Sequence, residues 1–114
     1  MAKALYQTEQ VDSAYLLELT PIVPGATVSK PLVNSDALRQ VVFAMDKGQL
    51  MSEHRAPFVV VVQVLDGELD FTVDGETRRL VAHDWLVMPT DKPHDLNAVE
   101  PTRFLLTMVK EPKA

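Results

Sequence analysis

After Thr27 the apolar residues fall in short runs rich in β-branched and aromatic side chains between polar turn residues, a pattern that predicts strands rather than helices. Before Thr27 the spacing differs. Val11, Tyr15, Leu16 and Leu19 recur at helical intervals behind Asp12 and Ser13, which predicts a short capped helix ended by Pro21, with a strand as the competing assignment. Residues 1–10 are mostly polar and are expected to fray. Pro21, Pro24, Gly25 and Pro31 then make a turn-rich link. Strands are predicted at 27–32, 38–45, 58–65, 68–73, 76–81, 85–88, 94–98 and 102–109, each bounded by turn residues. Seven or eight short strands separated by turns indicate an all-β barrel or sandwich.

Two turns bear on the register. Asp66-Gly67 and Asp74-Gly75 are both Asp-Gly pairs between apolar runs, the composition of a two-residue hairpin. A hairpin at Asp66-Gly67 pairs Leu65 with Glu68 and puts Val64 with Leu69, Val62 with Phe71 and Val60 with Val73 on one apolar face, which is expected to line the interior. Gln63 then falls on the outer face, together with Val59 and Val61. An apolar strip outside a barrel suggests burial against a second copy, so a homodimer is expected. The second turn places Arg78 opposite Phe71, inward or over the rim, and pairs Arg79 with Asp70 outside.

Composition narrows the class. With 114 residues, 46% hydrophobic and 24% charged, the chain fits one ordinary globular domain. A net charge of −5, with Arg78-Arg79 as the only arginine pair, argues against nucleic acid or an anionic membrane as partner. The first residues carry no signal-like apolar run, and no segment has the length of a membrane span. With no cysteine there is no disulfide, thiolate metal site or cysteine nucleophile, which suits a reducing compartment, and a cytoplasmic location is expected.

Little of the sequence carries chemistry. The four glycines stand singly at 25, 48, 67 and 75, so no loop cradles phosphate, and no serine lies in a Gly-x-Ser-x-Gly elbow. The histidines remain. His54 and His94 are each expected to open a strand next to a proline, while His83 falls in the turn Ala82-His83-Asp84 and is expected to be exposed. Two histidines forty residues apart are a weak metal signal on spacing alone, and the plainer reading is two partly buried, hydrogen-bonded side chains.

Gly48, His54 and Gly67, followed by Asp84, Pro89 and His94, resemble the paired motifs of the cupin superfamily. The resemblance covers about residues 25–110 and implies a double-stranded β-helix (jelly-roll) barrel, preceded by an N-terminal extension over 1–24. The family's first motif carries a second histidine and a glutamate where this chain has Ala56 and Val60. In the second motif, His83, Asp91 and Ala98 replace two glycines and an asparagine. His-x-Ala-Pro in place of His-x-His is similar to a subgroup of small single-domain cupins.

Family metal sites resemble a three-histidine, one-carboxylate set with open positions. Ala56 and Val60 donate nothing, so the resemblance implies a degenerate site of His54 and His94, open at most to a divalent Fe, Mn, Ni or Zn ion completed by water or substrate. Without metal, the same pair can orient an acidic or hydroxylated ligand, or act as acid and base near neutral pH. Glu53 alternates away from His54 and is expected to be solvated. The implied pocket comprises His54, His94, Val60, Val62, Phe71, Met88 and Phe104, and would suit a small, mainly apolar organic ligand; Trp85, Met45 and Met51 are expected in the core or pocket wall. Three functions follow from the resemblance: a small-molecule-binding cupin, a metal-dependent oxygenase or isomerase, and a non-catalytic sensory or accessory module.

Overall fold

A computed structural model describes residues 3–110. Nine strands run in chain order: β1 (Thr27–Asn34), β2 (Leu38–Met45), β3 (Leu50–His54), β4 (Val59–Asp66), β5 (Glu68–Val73), β6 (Glu76–Val81), β7 (Trp85–Met88), β8 (His94–Ala98) and β9 (Thr102–Val109). They form two antiparallel sheets, one in the order β1-β2-β9-β4-β7 and the other β3-β8-β5-β6. The sheets face each other around one apolar core, giving the all-β double-stranded β-helix expected. Among the described residues no helix is long and apolar enough to cross a membrane.

Alternation sets the core. Val60, Val62 and Val64 of β4 are buried while Gln63 between them is exposed, and β8 buries His94, Leu96 and Ala98 in the same rhythm. Phe71, Leu69, Met45, Met88 and Phe104 fill the centre, and Phe43 stacks on Phe104 with ring centroids 4.9 Å apart.

The hairpin expected at Asp66-Gly67 does not form. β4 pairs with β7 and β9, and β5 pairs with β6 and β8, so the chain changes sheets between Asp66 and Glu68. The interior assignment of Val60, Val62, Val64, Leu69 and Phe71 stands, because parity along each strand survives a change of partner. Local contacts explain the crossing. Gly67 has φ of 90° and lies against the Pro101 carbonyl and Thr102, where a Cβ would collide. The buried Thr102 hydroxyl accepts the Glu68 N–H at 2.9 Å, and it has the carbonyl oxygens of Glu68 at 3.0 Å and Glu100 at 2.7 Å to donate to. Asp66 accepts the Arg103 backbone N–H at 2.9 Å and its guanidinium at 2.7 Å. At Asp74-Gly75, by contrast, φ values of 51° and 78° make the two-residue turn, pairing Val73 with Glu76, Phe71 with Arg78 and Asp70 with Arg79.

Other expectations are corrected. The helix is a single turn, α1 (Leu16–Leu19), capped by Tyr15 without a side-chain bond; Asp12 instead accepts the N–H of Ser13. Leu5 and Tyr6, expected to fray, donate backbone N–H groups to Pro31 and Leu32 of β1. Residues 1–2 lie outside the described range. This N-terminal segment crosses the outer face of the larger sheet. Lys30 donates to the Leu19 carbonyl and Arg103 to that of Thr20, so the outward Val42 and Ala44 beneath are fully buried. β3 was hidden by its polar residues, and Trp85 is 59% exposed because parity on β7 turns it outward beside Gln63.

The crowding at Gly67 predicts that Gly67→Ala destabilises the protein by at least about 2 kcal/mol, combining a forbidden backbone region with a steric collision. Urea midpoints of the two proteins measure it, and a smaller change would show that the crossing yields easily.

Candidate ligand site at the histidine end of the barrel

Two crossings between the sheets build one end of the barrel. Residues 55–58 carry the chain from β3 to β4, and residues 89–93 carry it from β7 to β8. They are tied together: Asp91 donates its N–H to the Ala56 carbonyl at 2.9 Å, and Arg55 Nη1 donates to the Asp91 carbonyl at 3.0 Å. Asp91 adopts φ of 61° and His83 of 77°, so both positions that lack the motif's glycine keep a left-handed backbone. His94 opens β8 as expected, whereas His54 closes β3 rather than opening a strand.

A break in register after Met51 brings His54 directly opposite His94. Their ring centroids are 4.1 Å apart at 60°, and Phe71 stacks on His94 at 5.9 Å. His54 is on the exposed side and His94 is 4% exposed. The two rings are held in the same way. Nδ1 of His54 lies 2.8 Å from the Ser52 carbonyl oxygen, and Nδ1 of His94 lies 2.9 Å from that of Lys92. A carbonyl only accepts, so each neutral ring carries its proton on Nδ1 and keeps Nε2 as a lone-pair acceptor. Burial pushes the His94 pKa below its ordinary value; the Lys92 carbonyl opposes this, repulsion from His54 adds to it, and Asp95 opposes it.

The other residues of the implied pocket are distributed through the core. Val60 and Met88, paired with each other, lie near this end; Val62 and Phe104 lie deeper, and all four are at most 2% exposed. Partly buried Met51, Ala56, Val73, Leu106 and Met108 pack around that core. Glu53 and His83 are exposed. Arg79 pairs with Asp70 at 2.5 Å, and the exposed Arg78 turns to Glu76 at 3.3 Å. Arg39 was missed. It pairs with Met108 on the inward face, in phase with Val41, Phe43 and Met45, and among the described residues it has no carboxylate partner. That phase in β2 was the available signal.

A cleft of about 370 Å³ lies between the free edges of β6 and β7 and includes Trp85, Met88, Arg78 and Lys92, but neither histidine. Its cations already have partners, Lys92 meeting Asp74 at 3.2 Å and Arg78 meeting Glu76. The histidine pair is the better candidate because its acceptors are uncommitted.

The model of the AraC-like ligand binding domain matches residues 39–112. The chain belongs to that family. Among solved structures it is similar to a conserved protein of unknown function from Streptococcus pyogenes, at 34% identity and TM-score 0.85, covering 99% of this chain and 98% of that one. It is also similar to an RmlC-like cupin from Desulfovibrio desulfuricans, at 26% identity and TM-score 0.80, covering 89% and 98%. A cupin superfamily protein from Desulfitobacterium hafniense, at 22% identity and TM-score 0.81 over 90% and 94%, shares the fold. No curated protein matches the chain.

In this AraC-like domain the donor set does not fit a resident metal. Ala56 and Val60 occupy the remaining ligand positions of the first motif, Val60 is 2% exposed inside the core, and among the described residues no three His, Cys, Asp or Glu side chains gather to hold an ion. Two imidazoles alone leave half of a tetrahedral shell to solvent.

The depressed His94 pKa fixes a pH dependence. Below the ordinary value of 6.5 the unfolded chain takes a proton that the native ring resists, so stability is full above that pH and falls on acidification until the native ring is protonated. Asp46 and Asp70 are pulled below 3.8 by their hydrogen bonds and act at lower pH. Urea titrations at pH 7.5, 6.5 and 5.5 should show this decline, and His94→Gln should flatten it; an equal slope in the variant would assign the effect elsewhere.

Proposed function

We propose that this AraC-like domain binds a small, mainly apolar organic molecule at the His54–His94 end of its barrel, without a resident metal and without catalysing its conversion. The observation that supports this reading most directly is the anchored imidazole pair. Two rings 4.1 Å apart, each fixed by its Nδ1, offer polar recognition against an apolar core that begins with Phe71 stacked on His94, a combination that suits binding and orientation. Val60, Val62, Phe71, Met88 and Phe104 are proposed as the apolar wall and floor under the histidines. The family match supports the ligand-binding reading. The two-histidine donor set favours the same choice over a metal-dependent oxygenase or isomerase. The role we propose is therefore sensory or accessory, in a reducing cytoplasm that suits a chain without cysteine.

Protein purified without chelator should contain no stoichiometric Fe, Mn, Ni or Zn, and added metal should leave its melting temperature unchanged. Stoichiometric metal lost in a His54→Ala, His94→Ala double variant would reverse the proposal.

The domain is also proposed to pair with a second copy through the outer face of the larger sheet. Val61 sits beside Val87 and Val59 beside Val109 there, next to the exposed Trp85, giving a contiguous apolar strip on three adjacent strands. Light scattering at micromolar concentration should give twice the chain mass, reduced to one by Val87→Glu; a monomeric parent protein would remove this surface from consideration.

A further inference from the structure

Each histidine ring has already committed its one N–H. With both Nδ1 protons donated to the Ser52 and Lys92 carbonyls, the neutral pair presents two acceptors and no donor. We infer that the ligand presents a hydrogen-bond donor, a hydroxyl or N–H, to the Nε2 atoms of His54 and His94. This rests on the ligand site proposed above and specifies the chemistry it receives.

The competing class is an acceptor such as a carboxylate. Its lone pairs would face those of the rings unless an imidazole gained a second proton, and in His94 that charge would lie in a ring 4% exposed and stacked on Phe71. Of the cations beside the histidines, Lys92 meets Asp74, and Arg55 gives one of its five N–H groups to the Asp91 carbonyl. Arg39, on the facing sheet, could hold an acceptor elsewhere on the same molecule, so the discriminating probes must differ only in the donor. An ether of the same shape keeps the apolar contacts and loses the O–H, leaving the imidazole acceptors unpaired once desolvated.

Phenol and anisole form such a pair. In the full chain labelled with ¹⁵N at pH 7.5, long-range ¹H–¹⁵N spectra of the imidazoles should show both rings protonated at Nδ1. Phenol, whose single O–H exchanges between the two acceptors, should then move the Nε2 signals of both, while anisole binds about tenfold more weakly. His54→Phe, at an exposed position where the barrel keeps its core, should narrow that preference to about threefold or less. Equal affinity for the two probes, with both still moving the histidine signals, would overturn the donor assignment and leave the site in place. A free protein protonated at Nε2 would overturn it as well. If neither probe moves either histidine, the ligand site itself is misplaced and the inference falls with it.

Discussion

The chain leaves one sheet at Asp66 and enters the other at Glu68, and the architecture depends on that crossing. It works because Gly67 has no side chain to place against Pro101 and Thr102, and because the Thr102 hydroxyl and the Asp66–Arg103 pair satisfy the polar groups that a change of partner frees. Once β4 is committed to β7 and β9, β5 is left to β6 and β8. The same separation lets residues 55–58 and 89–93 cross at one end, where they bring two histidines distant in sequence within 4.1 Å. A hairpin at this point would have kept β4 and β5 in one sheet and closed neither wall of the barrel.

Most of the fold was legible because strand parity is a local property. Alternation in β4, β5 and β8 names the inward residues whichever strand lies alongside, so the core was readable even where the pairing was not. Pairing is not local. Asp-Gly has the same composition at 66-67 and at 74-75, yet only the second makes a hairpin, because the first is held by residues 101–103 from the far end of the chain. β3 escaped notice for a related reason: Ser52, Glu53 and His54 face solvent at an edge, where no apolar period is needed. Likewise Trp85 is large and apolar, but its parity, and not its type, decides that it lies outside.

At the site, the sequence carried residue types and missing ligands but no proton positions. Ala56 and Val60 already spoke against a complete metal shell. What could not be read was that each histidine turns Nδ1 onto the carbonyl two residues before it, since that depends on the break in register after Met51 and on the turn through Asp91. Arg39 was equally hidden, although its phase with Phe43 and Met45 marks it as inward.

The exposed position of Trp85 has an optical consequence. As the chain's one tryptophan it dominates near-ultraviolet emission, yet it stands outside the barrel on an edge strand, on the opposite side of its sheet from the core. Its emission therefore senses whatever covers β7 and the neighbouring cleft. A molecule entering at the histidines can leave that signal unchanged, and a silent fluorescence titration would say nothing against binding there.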